Sequence, residues 1–371
     1  MANTASVDGH MIEGQTARVP TRRRTTGRVL IWLGIAIFAI VLLLQTLSAA
    51  GVVALGFENW RPTLYAYGVF SVLLCTGIVL SRGERGWRAL FILPAALFTV
   101  AMAIFPTLFG LSIAFTDWNL ASATGQKFNG IDNLVQLVHD PFYLNALLNM
   151  IFYVCAVLFE YAIAFCLALL LNAEIKARKF WRVTFLLPFM LSPVAVSWMV
   201  GKSMLETRFG PIPRFVRWVG VQSPSFFGDP IWAKLWIEAM DAWVSIPFVM
   251  ILLLAGLQAL PKEVQEAAKV DGAGAWQGFW QITFPLMLPV SVTAIVIRMI
   301  FKLKLADIVI NVTSGGPGGA TDTVSSFIYR EYRDRSNVGY GTMLAMVYLV
   351  IIAVLVTVFL NFVSKRMQRM T

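Results

Sequence analysis

Arg298 and Lys302 stand one helical turn apart inside a run that is otherwise apolar from about residue 286 to about residue 308. A charge near the middle of a bilayer costs about 2.5–3.5 kcal/mol on insertion scales, so such groups face a polar cavity or a partner. Ser291 falls roughly in line below the two cations, whereas Lys304 points elsewhere. Glu238 and Asp241 lie in the outer half of another apolar run, at a depth comparable to Lys302, and are the expected partners. Two readings are open at this point: a structural ion pair between spans, or the lining of a path for a polar cargo. For Lys302 and Lys304, snorkelling towards the outer surface is a third.

Other chemistry has little to work with. The chain has two histidines, His10 in a polar N-terminal stretch and His139 in a connection, and three cysteines, Cys75, Cys155 and Cys166, all inside apolar runs. That leaves no zinc or nucleophile cluster, so no catalytic residue and no metal ligand is assigned. Gly201-Lys202-Ser203 resembles the end of a phosphate-binding loop. The motif needs a glycine five residues earlier, however, and Val196 stands there, within an apolar run. Ser314 to Ala320, SGGPGGA, lacks the strand and helix of a dinucleotide fingerprint and reads as a turn.

The elements that must hold these residues are membrane spans. Of 371 residues, 58% are hydrophobic and 13% charged, and mean hydropathy is +0.72, beyond what a water-soluble domain can cover. A bilayer core of about 30 Å takes about 20 apolar residues in a helix. Runs of that kind fall at roughly 29–55, 64–80, 89–115, 145–171, 181–203, 232–257, 286–308 and 341–363, which predicts an all-α bundle of about eight transmembrane helices. Lys and Arg cluster at Arg18 to Arg28, Arg82 to Arg88, Lys176 to Arg182 and Lys365 to Arg369, so eight crossings with both termini cytoplasmic satisfy the positive-inside rule. The connection 309–340, with Arg330, Arg333 and Arg335, is outvoted. The formal charge of +10 then reflects topology and contact with anionic lipid, not nucleic acid. The first apolar run exceeds the about 7–15 residues of a signal peptide and is read as an uncleaved anchor after a disordered cytoplasmic tail, 1–27.

Between two of these runs lies PKEVQEAAKVDGAGAWQGFWQITFP, residues 261–285. Pro261 suits a first helical position and Glu263 a first turn. Val264, Ala267 and Ala268 make a narrow apolar face, and Asp271-Gly272 ends the helix before a second short segment. A helix-turn-helix knob on the cytoplasmic face is predicted; an interfacial helix lying on lipid, with Trp276, Phe279 and Trp280 in the headgroups, is the alternative.

At Glu266-Ala267-Ala268, Asp271-Gly272-Ala273, Ile282 and Pro285 the sequence resembles the permease subunits of binding-protein-dependent ABC importers, in the carbohydrate-uptake group that includes the maltose permease. Pro247-Phe248, Ala255-Gly256-Leu257, Phe301, Asp307 and Gly315-Gly316-Pro317-Gly318 match the same group in order, and the similarity runs over about residues 90–365. The resemblance implies that the loop 261–285 is a coupling helix docking into a cytoplasmic ATPase, with Glu266 offering charge and Gly272 allowing the turn. It implies location in a bacterial cytoplasmic (inner) membrane, a second, different permease subunit, two ABC ATPase subunits that bind ATP and Mg, and an extracytoplasmic solute-binding protein. Under it, Arg298, Lys302, Glu238, Asp241, Trp243 and Tyr161 become candidates for the path of a sugar, oligosaccharide or polyol, the aromatics serving equally well as helix packing. A phosphorylated polyol such as glycerol phosphate is the alternative cargo, with Arg298 and Lys302 as attractors. A membrane-embedded enzyme would leave the coupling loop unexplained. Many sugar permeases have six spans, so the organisation expected here is the tail 1–27, two extra helices in 28–88 and a permease domain, 89–371.

Overall fold

The computed structural model describes residues 20–49, 57, 59–123, 125–221 and 224–367, so His10 and most of the predicted tail lie outside the described residues. The chain divides into two compact units, residues 1–109 and 110–371.

The first unit holds α1 (Thr21–Ala49), α2 (Arg61–Arg82), α3 (Glu84–Thr99) and the start of α4 (Phe105–Ala114), which follows α3 through a π-helical turn, Val100–Ile104. Helix α1 starts at Thr21, directly after Pro20 and several residues before the predicted end of the tail; the arginines of TRRRTTGR are good helix formers and no proline interrupts the segment. Small residues let α1 and α2 touch backbone to backbone: a Cβ on Gly77 would meet the Gly27 carbonyl oxygen at 2.6 Å and Ile31 Cγ1 at 2.6 Å. Gly77→Leu is therefore expected to destabilise this hairpin by about 1–3 kcal/mol, the usual range for overpacking, read as a lower melting temperature of the purified chain.

The second unit is the larger. Helix α5 (Asp132–His139) leads into the long span α6 (Pro141–Asn172). Next come α7 (Arg178–Leu186) with a 3-10 turn Leu187–Met190, and α8 (Pro193–Val196) with a π-helical stretch Ser197–Met204. Helices α9 (Pro211–Trp218), α10 (Pro230–Gln258), α11 (Lys262–Val270) and α12 (Ala275–Gly278) follow. A π turn, Phe279–Thr283, then leads to α13 (Phe284–Leu303), α14 (Asp307–Val312), α15 (Val324–Arg333) and α16 (Val338–Met367). Two of the spans start alike: Asp140 before Pro141 and Asp229 before Pro230 accept from the free N–H groups of the first turn, at 2.9 Å from Phe142 N and 2.9 Å from Ile231 N.

Among the described residues, seven helices are long and apolar enough to cross a membrane. The eighth expected crossing, 181–203, is not a straight helix but a pair, Arg178–Met190 and Pro193–Met204, bent by 91°. Pro188 and Pro193 each lack an N–H, and Ser192 restarts the helix by accepting from Ala195 N at 3.2 Å. Apolar length, which carried the expectation, does not register such a break.

The turn 313–322 is held by side chains of α6. Asn145 and Asn149 donate to the Gly319 carbonyl at 2.7 and 3.0 Å, and Asn149 also donates to Asp322 O at 2.9 Å. Asp322 is buried, accepts from Ser326 Oγ at 2.9 Å and pairs with Arg330. Burial pushes its carboxyl above the usual carboxylate range, outweighing the Arg330 charge and the Ser326 hydrogen bond. The folded state thus holds this proton more tightly than the unfolded one. Its contribution to stability is complete below the ordinary carboxylate pKa and is lost as pH rises through the raised value. Asp322→Asn is expected to remove that part of the decline in a pH series of melting curves.

Candidate functional site

Three helices bring five charges together. Helix α6 supplies Glu160, α10 supplies Glu238 and Asp241, and α13 supplies Arg298 and Lys302. The spacings of three residues on α10 and four on α13 keep each pair on one face. The Lys302 ammonium lies 2.8 Å from Glu160 Oε1 and 2.7 Å from Glu238 Oε2, and it also bonds Asp241 Oδ2. Arg298 grips Glu160 with two nitrogens, Nη2 reaching Oε1 at 2.9 Å and Nε reaching Oε2, and Nη2 also reaches Asp241 Oδ2. Lys302 and Glu160 are 0% exposed and Arg298 3%. Three carboxylates against two cations leave a formal surplus of one negative charge. The three acids lie close enough to share a metal ion, yet the lysine ammonium bonds all three.

Glu238 and Asp241 stand where sequence placed them, opposite the cations. Glu160 was missed, although it is the one charged residue in the 32-residue α6, the same signal that singled out Arg298.

Asp241 and Arg298 also line a cavity of about 320 Å³ with Ser245, Lys304 and Asp307. Its apolar wall includes Phe189 stacked on Phe248, centroids 5.5 Å apart, and Phe301 edge-on to Phe248 at 6.2 Å. Trp243 and Tyr161 do not join them. Trp243, about 200° round α10 from Asp241, lines an apolar space with Phe185, Met190 and Pro247. Tyr161 donates to Ser291 Oγ at 2.7 Å and lines a third space, of about 900 Å³, nearer the α11–α12 segment.

That segment stands apart from the charges. In α11, Glu266, Ala267, Val264 and Val270 are exposed, and Ala268 is half-buried. Asp271 N and Ala273 N return to Ala267 O and Ala268 O, each at 2.9 Å, and Gly272 takes φ +81°, the left-handed region that suits glycine. After α12 the chain is held by aromatic contacts, Phe279 against Phe165 of α6 at 5.6 Å and Trp280 against Phe284 at 5.2 Å. Ile282 and Thr283 face the same space as Tyr161, and Pro285 opens α13.

Comparison with known proteins bears on what this arrangement serves. Residues 74–370 match the family model described as binding-protein-dependent transport system inner membrane component. The sulfoquinovosyl glycerol transport system permease of Agrobacterium fabrum is 29% identical over 77% of this chain and 93% of its own length. The trehalose/maltose transport system permease of Thermococcus litoralis is 31% identical over 64% of this chain and 80% of its own. The fold is shared with a chain of a bacterial alginate ABC transporter, TM-score 0.66 at 23% identity, covering 76% of this chain and 96% of that one. With buried charges joining three spans at one end of α13 and an exposed helix-turn-helix at the other, the chain belongs to the inner-membrane permease components of binding-protein-dependent transport systems.

Proposed function

We propose that this permease forms half of a pore with a second, different permease subunit, that α11 and α12 seat a separate ATPase, and that the cargo is an uncharged sugar, oligosaccharide or polyol. The observation that carries the coupling role is the exposure of Glu266, Ala267 and Val270 on a short helix tied through Trp280 and Phe284 to α13. A rigid seat passes displacement from a closing ATPase to the spans, where a loose loop would absorb it. ATP and its magnesium are bound by the ATPase partners in this reading, and an outside binding protein delivers the cargo. Because basic residues gather at 82–88, 176–182 and beyond Ser364, both termini are assigned to the cytoplasm, with α11 and α12 on the same side. A cysteine at Val270, in a chain lacking Cys75, Cys155 and Cys166, should crosslink to the ATPase subunit in native membranes. Active transport with no such crosslink would remove the assignment.

The cargo reading rests on the ion cluster. Arg298 and Lys302 are already paired with acids of the protein itself, so neither is a free attractor, which disfavours a phosphorylated polyol. A cavity of about 320 Å³ is at the small end of ligand sites, which run to about 1,000 Å³. Stacked phenyl rings beside carboxylate and guanidinium suit the C–H face and hydroxyl edge of a sugar. Phe248→Ala is expected to raise the KM for uptake by about twofold to thirteenfold, from an aromatic contact worth about 0.5–1.5 kcal/mol, with little change in the maximal rate.

A further inference from the structure

Helix α5 has three distinct sides. At about 100° per residue, Asn133 and Leu137 fall on one side and are buried, while Asp132, Gln136 and His139 fall on another and are exposed. Ile131, Leu134, Val135 and Val138 make up the third, and they are exposed as well, at 61%, 38%, 49% and 58%.

The buried side is firmly attached. Asn133 Nδ2 donates to the Ala114 and Thr116 carbonyls at 2.7 and 2.8 Å, ending α4, and Leu137 packs in the core with Tyr143 and Tyr340. Helix α5 therefore cannot roll to hide its apolar side against the rest of the unit. That side carries no charge. It is followed after one extended residue, Asp140, by α6, whose first turns expose Phe142, Leu144 and Leu148. The apolar side of α5 is thus followed directly in the chain by the exposed apolar start of a span, while its polar side points about 120° away.

We propose that α5 lies in the boundary layer of the membrane, at the end of α6 remote from α11 and α12. Ile131, Leu134, Val135 and Val138 rest among lipid chains, and Asp132, Gln136 and His139 face water. A three-sided helix with protein, lipid and water each on one side is the geometry of an interfacial anchor. The anchor sets the depth of Asp140, which caps α6 and accepts from Tyr340 Oη of α16 at 2.7 Å, so it fixes the level at which two spans leave the bilayer.

The test labels single cysteines at Leu134, Val138 and Gln136 with a nitroxide, in the full chain lacking its three native cysteines, within nanodiscs of phosphatidylethanolamine and phosphatidylglycerol. At Leu134 and Val138 collisions with oxygen should exceed those with a water-soluble nickel chelate, and at Gln136 the order should reverse. Nickel predominating at all three positions would place the face in water; exclusion of both reagents at Leu134 and Val138 would mean that protein covers it; either result overturns the proposal. A second measurement needs no substitution. In intact membranes, a phospholipid with a diazirine in its tail should leave adducts on residues 131–138 of the native chain. Adducts on α6 with none on α5 would count against the anchor.

Discussion

Lys302→Met is expected to be among the most damaging single substitutions in this chain. Methionine roughly matches the length and apolar stem of lysine, so packing changes little, but Glu160 and Asp241 are left with Arg298 alone and Glu238 loses the cation it pairs with. Removing one partner from a buried ion pair costs about 3–5 kcal/mol, and native proteins hold only about 5–15 kcal/mol in all. The amount of folded subunit in the membrane and its melting temperature in detergent should both drop sharply, and uptake should vanish with them. A variant as stable as the natural chain would show that the acids do not depend on this ammonium. The double variant Lys302→Met with Glu238→Gln removes one charge of each sign and is expected to recover much of the lost stability. Its transport separates the two roles open for these charges. Uptake returning with stability marks the cluster as a structural tie between α6, α10 and α13, whereas a stable but inactive subunit marks Lys302 or Glu238 as part of the transport cycle.

The second large effect is expected at Gly272, where the subunit should survive and transport should fail. At φ +81° a branched side chain is strained by more than the about 1–2 kcal/mol of an ordinary residue, and among the described residues nothing beyond its two chain neighbours lies within 4 Å of the position a Cβ would take. The penalty therefore falls on the backbone turn between α11 and α12, not on packing. Because 1.4 kcal/mol is a factor of ten, Gly272→Val should reduce ATP-driven uptake in proteoliposomes by about tenfold or more with membrane levels unchanged. Gly272→Asn, which tolerates the left-handed conformation better, should fall between the two. Full uptake by Gly272→Val would sink the proposal that this turn passes movement to the spans.

Membership of the permease family makes this chain a transporter subunit and not an enzyme, and the physical basis of that was partly visible from composition. Apolar length identified seven crossings, because hydrocarbon demands satisfied backbone over a set thickness and so writes its requirement into consecutive residues. The α11–α12 segment was equally legible, since a proline start, a short amphipathic face and an Asp-Gly stop act over one or two turns. The break at Ser192 was less so, as prolines within an apolar run signal a kink without saying how large.

The ion cluster lies at the opposite extreme. Its bonds join residues 138, 64 and 57 positions apart, so no local pattern reports them. Sequence announced that Arg298 and Lys302 needed partners and pointed to Glu238 and Asp241. That Glu160 joins them, so that three acids face two cations, and that Trp243 turns away from Asp241 depend on how α6, α10 and α13 cross. Local spacing dictates which way a side chain leaves its own helix, and burial of charge follows from where three such helices meet.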